Sequence, residues 1–531
     1  MKQYHYKLWI GCVALLFSAS LSAQPSALKG KLKTYFLQKL EQKTNQNSEQ
    51  KSNLKSEQKG QPALNISSLV KSIKWKNAEK YQTLVWEAWK EANAQMNEEK
   101  LIPLRTLCAK NKGLWHLPAS LEPSATMPYY WGIKWKPLTT AQIQQNYRTG
   151  FQGDDSESTD EHIAAAKPFP MYLYLHGSGP KEEEWKFGLM WAQYFNDAPS
   201  VYFIPQIPNE GEYYRWWQKA KLYAWEKLLR QSLAAGNVDA NRLYVLGISE
   251  GGYGSQRLAS YYADYWAGAG PMAGGEPLKN APVENCANLA FSFLTGALDE
   301  GFYRNKLTGY TQAAFDSLQA KAAVQGMNEG SDKLFRHRIE LIPGCGHFID
   351  YSLTSPWLKD FKRNPYPKTF MWEDFPMDGQ CRQGFYNLCV VEQPKAADGK
   401  VDASGEDRDY YEMTIRDNVI RMSVRKVTYQ TVERDSEFGI DLKFAKSYHA
   451  AKGGRWKIYL NDQLVDMNKP VTLFVNGKKV FQGNITPRVE DMVNSCFTYF
   501  DPYRVFPASV EVSLLLLVCV APLRETFHVF I

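Results

Sequence analysis

Several patterns that define large functional classes are missing from this 531-residue sequence. It has no glycine-rich phosphate loop of the P-loop or dinucleotide-binding type, and no spacing of Cys and His residues matches a metal site. The formal net charge is +7, but much of the excess lies in the lysine-rich N-terminal region, and no basic stripe is interleaved with aromatic residues. We therefore expect no cofactor, no metal ion and no nucleic-acid partner.

Cysteine is scarce, with 8 residues in the chain. One of them, Cys12, lies in the N-terminal leader, and the odd number that remains predicts at least one free thiol. In an oxidising compartment, Cys381 and Cys389 are candidates for one disulfide, and Cys286 and Cys345 are candidates for another.

The sequence also lacks an apolar segment long enough to cross a bilayer, since its two most apolar runs are both too short. The first, Leu8 to Phe17, follows two lysines and leads into small residues, a pattern typical of a secretory signal peptide over residues 1–23. We therefore expect a secreted or periplasmic bacterial protein. A lipobox-like context at Cys12 leaves a lipid anchor as the less favoured link to a membrane. The second run, Leu514 to Val520, is interpreted as a final strand.

The region after the leader has little apolar content. Residues 24–65 are rich in Lys, Gln, Glu, Ser and Asn, and are interpreted as a low-complexity flexible tether because such a segment buries too little surface to fold. Within it, Leu28 to Leu40 has the spacing of a short amphipathic helix. Residues 66–127 are predicted to be an N-terminal helical or irregular region, with its clearest helix over Ala78 to Ala94.

What the chain does contain is a Gly-x-Ser-x-Gly pentapeptide, Gly247-Ile248-Ser249-Glu250-Gly251. A short apolar run precedes it and a helix-like segment follows it, which is the context of a nucleophile elbow. The glycines permit a strained serine backbone and close approach of neighbouring segments. We interpret Ser249 as a nucleophile, and the alternative is a chance match in a glycine-rich chain.

A second turn supplies candidate donors for a developing oxyanion. The buried-strand candidate Pro170 to Leu175 leads into His176-Gly177-Ser178, where lipases and esterases place one backbone donor. The N–H groups near Gly177 and Ser178, with that of Glu250 after the nucleophile, form the predicted oxyanion hole. The alternative is an ordinary loop with a solvated histidine.

An acid and a base follow the serine in the chain. Asp299 lies just beyond a core-strand candidate, where the orienting carboxylate of a triad is expected. His347 lies in a glycine-containing turn after the last core strand, from which an imidazole can reach both partners. Glu300 and Asp316 are the competing acids, and His337 is the competing base.

The order Ser249, Asp299, His347 resembles that of the α/β-hydrolase superfamily. More narrowly, residues 130–362 resemble secreted bacterial esterases of the polyhydroxybutyrate-depolymerase-like and feruloyl-esterase-like groups, with prolyl-oligopeptidase-type serine peptidases as neighbours. The resemblance implies a Ser-His-Asp triad and an acyl-enzyme intermediate. The chain departs from the usual pattern at Glu250, where such enzymes often carry a small, aromatic or Met residue, and this departure weakens inference about the substrate.

The alternation of strand-like and helix-like segments predicts the fold class. Residues 128–364 favour an α/β-hydrolase catalytic domain with a doubly wound, mostly parallel sheet, whose C-terminal strand edge holds the three candidate catalytic residues. Residues 365–531 alternate apolar and polar positions and contain Asn476-Gly477, a signal for a type I′ hairpin. They are predicted to form a small all-β domain that acts through packing, with glycan or partner binding less favoured.

Aromatic residues between Tyr213 and Trp217 are candidates for a substrate cleft. We predict Trp216, Trp217 and His176 as substrate-binding residues, and the alternative is packing at the start of a helix. The favoured function is a secreted carboxylic-ester hydrolase for small-molecule or glycan-linked esters. A prolyl-oligopeptidase-type peptidase and a non-catalytic binding protein on a hydrolase fold are the alternatives, and the oligomeric state stays open.

Overall fold

The computed structural model describes residues 26–44, 73–118, 125–150, 160–166, 168–208, 214–327, 333–397, 408–514 and 529–530. The predicted signal peptide, Cys12, residues 45–65 of the predicted tether and residues 515–520 of the C-terminal apolar run lie outside the described residues. The chain divides into two compact units, Met1–Glu98 with Thr486–Ser509 and Glu99–Ile485 with Val510–Ile531.

Helices and strands alternate in the first two thirds of the described chain, and strands dominate afterwards. The helices are α1 (26–44), α2 (Ala78–Gln95), α3 (Thr140–Thr149), α4 (Asp160–Ala165), α5 (Lys181–Tyr194), α6 (Lys221–Ala235), α7 (Glu250–Tyr261), α8 (Arg304–Val324), α9 (Thr354–Leu358) and α10 (Val489–Tyr499). The strands are β1 (Lys112–His116), β2 (Thr126–Lys134), β3 (Phe169–Leu175), β4 (Ser200–Pro205), β5 (Val238–Ile248), β6 (Gly268–Met272), β7 (Ala290–Gly296), β8 (His337–Ile342), β9 (Thr369–Asp374), β10 (Gly384–Phe385), β11 (Leu388–Glu392), β12 (Lys395–Ala396), β13 (Arg408–Arg416), β14 (Val419–Arg434), β15 (Asp441–Lys452), β16 (Arg455–Leu460), β17 (Val471–Val475), β18 (Lys478–Gly483), β19 (Ala508–Ser513) and β20 (Val529–Phe530).

The described residues of the smaller unit lie mostly in helices. In α1 the apolar side chains repeat every four residues, so Leu32, Phe36 and Leu40 share one buried face. The Phe36 ring meets the Trp89 ring of α2 edge-on at 5.1 Å. The predicted amphipathic helix is therefore confirmed, and the wider prediction of a flexible tether over residues 24–65 is wrong for α1, because its apolar face has a partner.

α10 also belongs to the smaller unit, although it lies within residues 365–531, which were predicted to be all-β. Its buried residues Val489, Met492, Val493 and Cys496 follow helical spacing. The all-β prediction is therefore wrong for this segment, whose apolar period is that of a helix.

The larger unit is built on an eight-stranded sheet in the order β1-β2-β4-β3-β5-β6-β7-β8. β2 runs antiparallel to β1 and β4, and the other neighbouring pairs are parallel. This mostly parallel sheet with its helices fits the predicted α/β-hydrolase-like fold, and a β-rich region follows it. The sheet begins at β1, before the expected boundary at residue 128. It also includes β6, whose Gly-Ala-Gly-Pro-Met sequence carries no β-branched residue and gave no strand signal.

The β-rich region contains the hairpin predicted from Asn476-Gly477. The strands β17 and β18 pair antiparallel with Val475 opposite Lys478. Both turn residues have positive φ, 47° at Asn476 and 77° at Gly477, as a type I′ turn requires. The hairpin prediction is therefore confirmed.

A buried group of charges joins strands of the β-rich region to the turn that precedes β7. The Nζ atom of Lys446 lies 2.6 Å from Glu373 and 2.7 Å from Glu284, and Arg408 approaches Glu373 at 2.8 Å. Burial alone would raise the pKa of Glu373, but the two cations outweigh it and lower that pKa. These pairs fix the strands β9, β13 and β15 against the turn that carries Glu284.

The six cysteines among the described residues are all free thiols. The expected pairs Cys381–Cys389 and Cys286–Cys345 are therefore not formed. In the described part of the chain, no helix has both the length and the apolar character needed to cross a bilayer.

Candidate active site

Ser249 lies in the sharp turn between β5 and α7. Its backbone is strained, with φ 56° and ψ −116°. A Cβ atom at Gly247 would lie 1.9 Å from the carbonyl oxygen of Gly251, and one at Gly251 would lie 2.0 Å from that of Leu175. Only glycine therefore fits at both positions, and the predicted strand–turn–helix context is present.

The three side chains predicted from the chain order meet at the C-terminal edge of the sheet. The Nε2 atom of His347 lies 3.0 Å from the Oγ of Ser249. The Nδ1 atom of the same ring lies 2.7 Å from the Oδ2 of Asp299. The serine hydroxyl, the imidazole and the carboxylate thus form one continuous hydrogen-bonded relay, which is the arrangement that activates a serine nucleophile.

The competing candidates lie elsewhere. Asp316 and His337 pair with each other at 3.0 Å, and the other ring nitrogen of His337 donates to the Phe335 carbonyl. Glu300 is exposed, next to the buried Asp299. The geometry therefore selects Asp299 and His347 over their rivals.

Asp299 has a second partner, Arg304, that the sequence analysis missed. The Arg304 guanidinium lies 3.0 Å from Oδ1 of Asp299, so both carboxylate oxygens are paired. Burial alone would raise the pKa of Asp299, but the hydrogen bond from His347 and the Arg304 charge overcome that effect and lower it. The carboxylate is held ionised, as required of the group that orients the histidine.

The loop that carries His347 is held on both sides. The Tyr351 hydroxyl donates to the His347 carbonyl at 2.7 Å, and the Leu298 N–H donates to the Cys345 carbonyl at 2.9 Å. The second bond ties this loop to the loop that carries Asp299. These contacts fix the imidazole between its two partners.

His176 is a buried residue of the turn 176–178, which we call the oxyanion loop because it carries two of the predicted oxyanion donors. Its Nδ1–H donates to the Gly177 carbonyl at 2.8 Å, and its Nε2 accepts from the Ile207 N–H at 3.1 Å. Burial lowers its pKa to about 4, which keeps the ring neutral. The prediction that His176 contacts substrate is wrong, because the ring is buried and both nitrogens are paired.

The two tryptophans predicted to line a cleft are buried as well. Trp216 is 0% exposed and donates from Nε1 to the His176 carbonyl at 3.1 Å. Trp217 lies beneath Arg257, whose guanidinium carbon is 4.1 Å from the ring centroid. Both predictions are wrong because neither ring is exposed to a cleft, and Trp216 instead supports the turn at His176 from inside.

The predicted oxyanion donors lie in the turn after β3 and at the start of α7. In that turn, burial raises the pKa of Glu184, and the neighbouring Gly177 N–H opposes this effect. Glu250 is the first residue of α7, so its N–H has no partner within the helix. It also lies at the positive end of the helix dipole.

The Glu250 side chain sits in a buried charged group beside the nucleophile. One carboxylate oxygen lies 3.1 Å from Arg215, while Oε1 has no hydrogen-bond partner among the described residues. Burial raises the pKa of Glu250 to about 8, against the opposing effect of Arg215. Neither Arg215 nor Glu184 was predicted, because both reach the site through tertiary contacts and not through a local motif.

Comparison with known proteins adds only distant likenesses. No protein-family model matches the chain, and no curated protein matches it. Among solved structures, a thermostable esterase has a TM-score of 0.31 and 18% identity. The match covers 48% of this chain and 64% of that esterase. A fluorophosphonate-binding serine hydrolase, FphF of Staphylococcus aureus, has a TM-score of 0.28 and 13% identity over 47% of this chain and 94% of its own. A ferulic acid esterase has a TM-score of 0.28 and 12% identity, and the match covers 47% of this chain and 98% of that esterase. At these TM-scores the functional conclusion has to come from the residues around Ser249.

Proposed function

We propose that the protein is a serine hydrolase that works through an acyl-enzyme. The observation that carries this proposal is the continuous relay from Ser249 through His347 to Asp299, with distances of 3.0 and 2.7 Å. Both distances are within the reach expected for a nucleophile, its base and the group that orients the base.

In the first step, Ser249 Oγ attacks the substrate carbonyl carbon and its proton passes to Nε2 of His347. The carbonyl electron pair moves onto oxygen, where the predicted oxyanion hole, the N–H groups near Gly177 and Ser178 and at Glu250, stabilises the negative charge. Asp299 accepts from Nδ1–H throughout and stabilises the imidazolium. Collapse of the intermediate expels the alcohol, which takes the proton from His347, and leaves an ester on Ser249.

In the second step, His347 removes a proton from water as the water oxygen attacks the acyl carbon. The same histidine then returns that proton to Ser249 Oγ, and a carboxylic acid leaves. Every atom comes from the substrate, from water or from the three side chains, so the cycle closes without a further reactant.

Within this class we favour a carboxylic-ester hydrolase acting on small-molecule or glycan-linked esters outside the cytoplasm. A propeller-capped peptidase is the less favoured reading, because residues 26–44 and 73–118, as far as the structure describes them, form two long helices and one strand in place of four-stranded blades. The leader over residues 1–23 supports export.

The test is labelling of the purified protein with a fluorophosphonate probe. Wild type and Ser352→Ala, a serine in the loop after His347 and outside the relay, should label, whereas Ser249→Ala and His347→Ala should not. Ethyl esters and peptide anilides then separate an esterase from a peptidase. A folded wild type that does not react with the probe would favour the non-catalytic binding protein.

A further inference from the structure

The β-rich region reaches the catalytic loops through one hairpin. β14 and β15 are connected by residues 435–440, which we call the hairpin tip. The Phe438 ring of this tip lies 4.8 Å from the Phe302 ring, with the two planes tilted by 47°. Phe302 follows Asp299 by three residues in the chain, so the hairpin tip packs on the segment that directly follows Asp299.

The hairpin tip is anchored by polar groups that are hydrogen-bonded or ion-paired with one another. Asp435 accepts hydrogen bonds from the backbone N–H groups of Glu437 and Phe438, which shape the turn. It also accepts from the Tyr303 hydroxyl at 2.5 Å. Below the tip, Lys306 pairs with Glu433 at 2.5 Å. The hairpin is therefore fixed to the start of α8 at two points.

The catalytic side of this contact carries backbone strain. Phe302 and Tyr303 both lie in the left-handed region, with φ of 51° and 59°. Two consecutive non-glycine residues in that region cost energy, and such strain is kept where the surrounding structure requires it. Its effect here is to present the Phe302 ring to solvent beside Phe438.

The two rings remain half exposed although they pack on each other. Phe302 is 46% and Phe438 is 48% exposed. Leu298 and Phe348, which flank Asp299 and His347 in the chain, are also exposed. Large apolar side chains next in the chain to Asp299 and His347, and at the hairpin tip, are thus exposed, and the Phe302–Phe438 pair is the one in which two such rings meet among the described residues of these segments.

A chain of contacts connects the rings to the nucleophile. The Arg304 guanidinium carbon lies 5.2 Å from the Phe302 ring centroid, and Arg304 in turn binds the carboxylate of Asp299. The rings therefore lie on the Arg304 side of Asp299, one residue removed from the relay. A group bound there belongs to a part of the substrate that extends away from the reacting carbonyl.

We propose that Phe302 and Phe438 form an apolar subsite that binds a large apolar group of the ester substrate, and that the β14–β15 hairpin makes the C-terminal β-rich region a determinant of substrate specificity. This inference rests on the proposed function. An apolar occupant is favoured over a sugar because Asp435, Tyr303, Lys306 and Glu433 are already paired with each other, which leaves a sugar's hydroxyl groups without those partners.

The experiment compares the hydrolysis of three esters by wild type, Phe438→Ala and Val432→Ala. Val432 is the matched control, because it has the same 48% exposure as Phe438 but belongs to strand β14 and not to the hairpin tip. The esters are ethyl acetate, ethyl 3-phenylpropanoate and 3-phenylpropyl acetate, so that the phenyl group is absent, on the acyl side, or on the alcohol side.

Phe438→Ala should lower kcat/KM about tenfold, mainly through KM, for at least one phenyl-bearing ester. It should leave kcat/KM for ethyl acetate and the melting temperature unchanged, and Val432→Ala should behave like wild type. Tyr303→Phe, which keeps the ring but releases Asp435, should shift selectivity in the same direction.

Equal effects of Phe438→Ala on all three esters, or no effect on any, would overturn the subsite while fluorophosphonate labelling of Ser249 still supported the hydrolase. Loss of labelling in the folded wild type would overturn the hydrolase and the subsite together. The two failures are therefore distinguishable.

Discussion

The guanidinium of Arg304 and the carboxylate of Asp299 form a buried ion pair at 3.0 Å, on the oxygen that His347 does not use. The carboxylate of the proposed catalytic acid is therefore held from two directions. One oxygen orients the imidazole, and the other is fixed by a cation at the start of α8. Any rotation of the Asp299 carboxylate has to break one of these two contacts.

Arg304→Gln should lower kcat by roughly tenfold to a hundredfold, because a small misplacement of the orienting group disturbs the attack geometry. Loss of the cation also raises the pKa of Asp299, which Arg304 helps to lower. The acidic limb of the kcat/KM profile should therefore move to higher pH. A pH–rate series measures both effects, with the exposed-pair variant Arg338→Gln as control. An unchanged acidic limb would contradict the role given to Arg304.

Asp299→Asn should lower kcat by about 10⁴-fold, because an amide at this position favours the wrong tautomer of His347. Glu300→Gln, one residue away and exposed, should retain wild-type activity. Steady-state hydrolysis of an aryl ester measures both variants. If Glu300→Gln were the inactive variant, the acid would be assigned to the wrong residue.

The sequence was sufficient for the parts of the site that depend on local pattern. The elbow can be recognised because Gly247 and Gly251 are required by backbone approach within a few residues. Asp299 and His347 follow strands whose ends meet at one edge of a parallel sheet. Their order along the chain therefore predicts their meeting in space.

Other parts depended on tertiary packing that no local pattern reveals. Trp216 has the composition of a cleft residue, but its ring is buried under His176. Arg304, Arg215 and Glu184 are ordinary charged residues until the fold places them beside the triad and the oxyanion loop. In α1, by contrast, the four-residue spacing of Leu32, Phe36 and Leu40 predicts an amphipathic helix correctly. The polar composition of the surrounding segment predicts a flexible tether and is the poorer guide here.

Lys446→Met should destabilise the protein by about 3–5 kcal/mol, because it leaves the buried carboxylates of Glu373 and Glu284 without their shared cation. Urea unfolding measures the loss. Lys469→Met removes an exposed lysine paired with Asp466 and should leave the unfolding midpoint unchanged. Equal midpoints for the two variants would show that the buried charges do not hold the β-rich region in place.

Glu250→Gln should change how stability depends on pH. Because the pKa of Glu250 is raised to about 8 in the folded protein, the folded state holds a proton that the unfolded chain has released above its ordinary pKa of about 4.5. Wild-type stability therefore falls as the pH rises through this window, and the loss persists above pH 8. The glutamine does not titrate, so the variant should gain on the order of 2–4 kcal/mol relative to wild type between pH 4.5 and pH 8.5. Urea unfolding at these two pH values measures the difference, and probe labelling of Ser249 should persist because the backbone N–H is retained. A variant and a wild type with parallel pH dependence would show that the Glu250 carboxylate is ionised beside the nucleophile.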